Sequence, residues 1–248
     1  MKPTARQARI ADRISAEGTA TVEALAAAFD VSLETIRRDL GLLARAGLVT
    51  KVHGGAARPR LTVEASFQQR VAENAAAKAQ IAQKLVAEVP PGATLFMDTG
   101  STTLAAAEAL APRGGLRVIT NSLRIAQVMG AGGSEIYLLG GRFGADNAQT
   151  LGPLALTQIA GFQADAAVLT LSALAPAGAM DADFDEAQIA RAMAARAGQR
   201  ILLADATKFD RHAAFPICEL AEIDLLISDQ PPQGRLLHAL DAAGVRRL

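Results

Sequence analysis

Several stretches of this chain carry residue types that bind charged ligands. Asp98-Thr99-Gly100-Ser101-Thr102-Thr103 closes the apolar run ATLFMD and opens the helical stretch STTLAAAEALA. A glycine there permits a tight turn, the hydroxyls donate hydrogen bonds, and the unpaired N–H groups of a helix start favour an anion such as phosphate. A hydroxyl that merely caps the helix fits the same spacing, so the motif alone leaves both readings open. Thr120-Asn121-Ser122, Gly140-Gly141-Arg142 and Asp205-Ala206-Thr207-Lys208-Phe209 end other apolar runs. They add hydroxyls, an amide, carboxylates and cations, a mixture suited to a polyhydroxylated anionic metabolite. No Walker A lysine motif or dinucleotide glycine fingerprint is present, which disfavours nucleotides. Asp181, Asp183, Asp185 and Glu186 match no EF-hand and read as an acidic helix start. Cys218 is the only cysteine, which excludes an intrachain disulfide and a thiolate zinc cluster; its apolar surroundings suggest packing. No metal or cofactor is expected.

A second kind of chemistry lies near the N-terminus. Ile36, Leu40 and Leu43 share one helical face, so Leu33, Glu34, Thr35, Arg37 and Arg38 are left mostly facing outward from the first turns. Ser32 is placed to cap this helix. Arginines and hydroxyls in the first turns of a helix with a buried stripe suit phosphates and major-groove base edges, although a solvated arginine pair on an ordinary helical hairpin has the same spacing. Asp39 would meet phosphate repulsion and is expected to orient a neighbouring arginine instead.

The elements that must position these residues are legible as patterns. Ile10 and Ile14 mark a first helix. Val22, Leu25, Ala26 and Phe29 mark a second, with Thr21 as its N-cap, and only Asp30 and Val31 separate it from the arginine-bearing helix. Gly47 reads as a C-cap, and LVTKVHGGA as a short strand pair, a wing, in which Lys51 and His53 can reach phosphates. AARPRLTVEASFQ reads as a linker and Gln69 to Glu88 as one helix. Thereafter apolar runs (ATLFMD, LRVIT, EIYLLGG, ADAAVLTL, RILLAD, DLLISD) alternate with helical stretches, implying a mostly parallel α/β sheet with ligands beyond the strand carboxyl ends. The expected organisation is a winged helix-turn-helix over 1–57, a linker over 58–68 and an α/β sensor domain over 69–248.

The charge distribution agrees with this division. The 248 residues are half apolar and formally neutral, yet the first sixty carry ten basic against six acidic residues and the remainder fifteen against nineteen. A basic module on an acidic body points to a polyanion partner for the first segment only. No apolar run is long enough to span a membrane and the N-terminal residues lack a signal-peptide core, so a cytoplasmic protein with no membrane partner is expected.

VSLETIRRDLGLLARAGLVTKVHGGA resembles the DNA-binding signature of DeoR-type transcriptional repressors, and the likeness extends over residues 5 to 57. DTGSTT, VITNS, LLGGR, the stretch from Glu186 to Met193 and LLADATKF resemble successive motifs of that family's sensor domain, which is similar in fold to ribose-5-phosphate isomerase. The resemblance implies contact of Ser32, Thr35, Arg37, Arg38, Lys51 and His53 with operator double-stranded DNA. It also implies a phosphate loop of Asp98, Gly100, Ser101, Thr102 and Thr103, with Asn121, Glu186 and Lys208 as further pocket residues. The implied effector is a phosphorylated sugar or polyol, with glycerol-3-phosphate the first choice. Lys51 stands where relatives often carry arginine, and Leu171-Ser172-Ala173-Leu174-Ala175-Pro176 replaces a glycine-rich turn. A homo-oligomer, dimer or tetramer, is expected because one recognition helix covers too few base pairs. No catalysis is expected. The competing reading is an isomerase-like enzyme using Asp98, Glu186 or Asp205 as general base; a protein-interaction role for the N-terminal module is disfavoured by Arg37 and Arg38.

Overall fold

The computed structural model describes residues 3–45, 48–57 and 64–248, with Ser15 and Arg45 as backbone only. Gly47 and residues 58–63, the first part of the expected linker, lie outside the described residues. The chain divides into two compact units, Met1–Leu61 and Thr62–Leu248.

The smaller unit contains α1 (Pro3–Glu17), β1 (Thr19–Thr21), α2 (Val22–Phe29), α3 (Leu33–Arg45), β2 (Thr50–Val52) and β3 (Gly55–Ala57). Ile10 and Ile14 of α1, Val22 and Leu25 of α2, and Ile36, Leu40 and Leu43 of α3 close one core, as their helical spacing requires. Thr21 caps α2 by accepting the Ala24 N–H, and Asp30 ends it in a left-handed conformation. The strands form an antiparallel sheet in the order β1-β3-β2, which makes the wing three-stranded where the pattern suggested a pair. β1 was missed because Thr19-Ala20-Thr21 is too short to show a period. Gly55 has a steric reason: a Cβ there would lie 2.2 Å from the Ala20 carbonyl oxygen, so only glycine lets β3 pair this closely with β1.

The larger unit runs α4 (Phe67–Ala72), α5 (Ala75–Glu88), β4 (Thr94–Met97), α6 (Ser101–Leu110), β5 (Arg117–Thr120), α7 (Leu123–Ala131), β6 (Glu135–Leu138), β7 (Arg142–Gly144), β8 (Gln149–Leu151), α8 (Pro153–Ala160), β9 (Ala164–Leu169), β10 (Ala173–Ala175), β11 (Gly178–Asp181), α9 (Phe184–Ala194), β12 (Ala197–Leu203), β13 (Phe215–Cys218), β14 (Leu225–Ile227), α10 (Gly234–Ala242) and β15 (Arg246–Arg247). Among the described residues seven strands form one parallel sheet, ordered β15-β14-β12-β9-β4-β5-β6. Alternate strand residues feed two cores: Leu95 and Met97 pack with Ile81, Leu85, Leu110 and Met129 on one face, while Phe96 packs with Ile159, Met193 and Leu240 on the other. From β4 the chain winds first toward β6 and then returns to β9, so the crevice beyond β4 and β9 is the topological switch point, where ligands bind in this architecture.

The single helix expected from Gln69 to Glu88 is two helices. Asn74 sits between them at φ 54°, a conformation asparagine tolerates, and its amide donates to Asp205 at 3.3 Å. Lys78 holds the break by donating to the carbonyl oxygens of Arg70 and, at 2.7 Å, Glu73. The end of the expected linker is also ordered into this unit: Ser66 and Gln69 form a capping box at the start of α4, and Phe67 is buried.

Candidate DNA-reading helix and effector pocket

In α3 the Ser32 side chain accepts the Thr35 N–H at 3.2 Å, and the two hydroxyl oxygens lie 2.9 Å apart. Both therefore organise the helix start. Arg37 and Arg38 are exposed, Arg37 beside Glu34 at 3.7 Å, and Arg38 has no partner among the described residues. Lys51 is exposed on β2 with its ammonium over α3, 3.5 Å from where a Cβ on Gly41 would stand; His53 is exposed in the β2–β3 turn. Asp39 does orient an arginine, but one from another helix: Arg6 Nε donates to it at 2.6 Å and the Gln7 amide at 2.8 Å, tying α1 to α3.

At the switch point Asp98 is buried and both its oxygens accept the Thr170 N–H, at 3.1 and 3.0 Å, which joins the end of β4 to the end of β9. Burial raises its pKa well above the ordinary value, and the charges of Asp181 and Glu186 push the same way. Gly100 is tightly confined: a Cβ there would lie 2.2 Å from Thr170 Cγ2. Thr102 and Thr103 are buried and Thr103 donates to the Gly100 carbonyl oxygen, while no side chain caps α6. Ser101 is the hydroxyl left toward open space, in a groove of about 360 Å³ that Lys78 and Glu108 also line.

Asn121 and Glu186 meet in one buried network. Thr99 donates to Asn121 at 3.2 Å, Asn121 donates to Gln149 at 3.3 Å, and the amides of Gln149 and Asn147 both donate to Glu186 Oε1. Arg70 donates to the Asn147 side-chain oxygen at 2.6 Å and pairs with Glu64 at 2.9 Å; Lys208 is 3.4 Å from the same Glu64 carboxylate, which also accepts the Ser172 hydroxyl at 2.7 Å. No hydrogen bond among the described residues links Ser101 to this network. Glu64, Arg70, Asn147, Gln149 and Ser172 escaped the sequence reading. Glu64 lies within the expected linker and Arg70 just after it, and Asn147 and Gln149 lie on a hairpin, β7–β8, whose polar residues carry no period. Ser172 alone had a signal, as part of the departure from a glycine-rich turn.

The acidic stretch is divided among separate tasks. Asp183 caps α9 by accepting the Glu186 N–H, Asp185 pairs with Arg142, and Asp181 accepts from Ser172 and the Asp183 N–H. Burial pushes the Glu64 carboxyl upward, but Lys208, Arg70 and the Ser172 hydroxyl outweigh it and leave its pKa below the ordinary value. Burial and the nearby Asp181 push Glu186 up to about 7 from an ordinary 4.5. The folded state thus holds a proton that the unfolded chain releases above pH 4.5. Stability from this group declines as pH rises from about 4.5 to 7 and stays lower above it. Glu186→Gln is expected to remove this part of the decline, about 3 kcal/mol, measured as the difference between urea midpoints of the two proteins across that pH range. A constant difference from pH 4.5 to 8 counts against the raised pKa.

A winged helix in one unit and an α/β sheet with a polar crown at its switch point in the other are the parts of a transcriptional regulator with a built-in sensor. The chain belongs to the DeoR family: residues 6–61 match the DeoR-like helix-turn-helix domain and residues 73–230 the DeoR C-terminal sensor domain. It is 36% identical to the HTH-type transcriptional repressor CsqR of Escherichia coli over 92% of this chain and 88% of that protein. It is 35% identical to the glycerol-3-phosphate regulon repressor of Haemophilus influenzae over 94% and 92%. Among solved structures, eIF2B delta of Chaetomium thermophilum superposes with a TM-score of 0.50 at 15% identity, over 66% of this chain and 60% of that one. Ribose 5-phosphate isomerase A of Methanocaldococcus jannaschii superposes with a TM-score of 0.42 at 15% identity, and the chain spans 55% of its length. Asp98 and Asp205, raised above as general bases, are both engaged: Asp98 by Thr170, and Asp205 by Asn74 and the N–H and hydroxyl of Thr207. Among the described residues no helix is long and apolar enough to cross a membrane.

Proposed function

We propose that this regulator represses a sugar or polyol catabolic operon by placing α3 in the major groove of operator DNA, and that a phosphorylated metabolite binding at the strand ends of its larger unit releases it. The observation that carries the reading is an uncapped helix start at the carboxyl end of β4, in the same parallel sheet whose strand β12 leads to Lys208, with Arg70 of α4 held to the same Glu64 carboxylate as Lys208. The relatives named for the glycerol-3-phosphate regulon make glycerol-3-phosphate the first effector to try. Ser32, Thr35, Arg37, Arg38, Lys51 and His53 form the DNA face. Asp98, Gly100, Ser101, Thr102, Thr103, Asn121, Glu186 and Lys208 form the effector site, with Asp98 and Thr103 shaping the loop. The protein works in the cytoplasm as a dimer or tetramer, whose paired helices span half-sites about 34 Å apart or a multiple of that.

Titrating operator complexes with glycerol-3-phosphate and other phosphorylated metabolites tests the switch. A 100-fold loss of DNA affinity corresponds to about 2.7 kcal/mol of coupling, and operator DNA must then weaken effector binding by the same factor. Ser101→Asp, which sets a negative charge against the incoming phosphate, is expected to retain operator binding and respond poorly. If no phosphorylated metabolite changes the affinity of the unaltered protein, the sensor reading is wrong.

A further inference from the structure

Glu64 stands out among the groups that the proposed effector site does not use. It follows directly on residues 58–63, at the start of the larger unit, yet its carboxylate is seated among three donors from separate elements. Oε2 meets Arg70 Nη1 of α4 at 2.9 Å, while Oε1 accepts from Ser172, just beyond β9, at 2.7 Å and lies 3.4 Å from Lys208, just beyond β12. A guanidinium, an ammonium and a hydroxyl converging on two oxygens is the donor set that holds a carboxylate or phosphate oxyanion. Most of this set stays in place without Glu64. Arg70 also donates to Asn147 at 2.6 Å and to the Ala65 carbonyl oxygen at 3.1 Å. Ser172 is fixed by its contacts with Asp181 and the Ala182 N–H. A further cation is near: Arg211 feels the charges of Asp205 and Glu64, and its Nε is buried with no hydrogen-bond partner among the described residues.

We propose that Arg70, Ser172 and Lys208 form an oxyanion subsite that Glu64 of the same chain occupies, and that the phosphate of a phosphate monoester competes with Glu64 for it. The inference rests on the effector reading above and deepens it. Displacement exchanges a singly charged carboxylate for a phosphate of about −1.5 to −2 at pH 7, which the same cationic donors favour. What changes is the hold at Glu64 itself, the first described residue of the larger unit, while Phe67 just after it stays buried with its N–H on Asp146. Competition for one subsite thereby frees the chain at Glu64.

The test uses the full chain and inorganic phosphate as probe, followed by calorimetry, with glycerol-3-phosphate run in parallel. Glu64→Gln keeps the shape but removes the competing charge and one of the two acceptor oxygens. It is expected to bind phosphate about tenfold more tightly than the unaltered protein, and adding Lys208→Gln is expected to cancel the gain. Trypsin cleavage after Arg60 supplies a second readout. Phosphate should accelerate it in the unaltered protein, and Glu64→Gln should be cleaved at the faster rate without phosphate, with an unchanged melting temperature of the larger unit as the folding control. Equal or weaker phosphate binding by Glu64→Gln overturns the proposal, as does failure of both proteins to bind phosphate. The two readings separate cleanly. Tighter phosphate binding by Glu64→Gln with no metabolite affecting operator binding leaves the subsite and removes the effector; a glycerol-3-phosphate response with no Glu64 effect does the reverse.

Discussion

Asp39→Ala is expected to unfold the DNA-binding unit rather than to alter its contacts with DNA. Asp39 and Arg6 are both buried and paired at 2.6 Å, with the Gln7 amide on the second carboxylate oxygen at 2.8 Å. Removing the carboxylate leaves the Arg6 charge uncompensated between α1 and α3, which costs about 3–5 kcal/mol. A unit of this size has little stability to spare, since small cores bury a smaller share of their surface. Hydrogen exchange should show protection lost over residues 3–57 and retained over 64–248, with operator binding abolished. Asp39→Asn keeps the acceptor and should fall between the two. Arg6→Met combined with Asp39→Leu removes both charges together and should be milder than Asp39→Ala alone. A loss below about 1 kcal/mol in Asp39→Ala would show that the pair is not the tie between these helices.

Alanine at Arg37 or Arg38 is expected to give the complementary result, a folded protein that binds operator poorly. Both side chains are exposed and lie outside the buried Ile36, Leu40 and Leu43 stripe, so neither substitution opens the core. An arginine reading a base edge accounts for about 1–3 kcal/mol of discrimination, and its loss relaxes specificity at one position. An arginine on phosphate instead lowers affinity on all sequences and reduces the salt slope by about 1. Arg37 gives up an exposed contact with Glu34 on binding, a small cost for a pair at 3.7 Å in solvent. Gel-shift titrations of cognate and scrambled operators at two salt concentrations distinguish the two roles. Unchanged affinity in both variants defeats the assignment of α3 as the reading helix.

The comparison of Asp39 with its two neighbours shows where local pattern suffices. Arg37 and Arg38 follow from the helical period, because once Ile36, Leu40 and Leu43 are buried the arginines must face away. Asp39 could be excluded from the DNA face on charge, but its partner could not be found, because Arg6 is thirty-three positions away and only the crossing of α1 over α3 brings them together. The same distinction runs through the sensor. Continuous apolar strands such as Leu95–Met97 and Ile201–Leu203 announce a sheet covered on both faces, and their ends announce the loops that bind. They do not announce strand order, nor the short β7–β8 hairpin, whose residues are held by partners distant in sequence rather than by a period of their own. The sequence by itself determined the helix-turn-helix, the alternation of strands and helices and the outward arginines, since each is legible in the spacing of residues close together in the chain. Only the tertiary structure decided that Asn147 and Gln149 clasp Glu186, that Asp98 ties β4 to β9, and that Glu64 meets Arg70, Ser172 and Lys208. Buried polar groups must find partners wherever the fold supplies them, and that choice is made by long-range geometry, which no local spacing encodes.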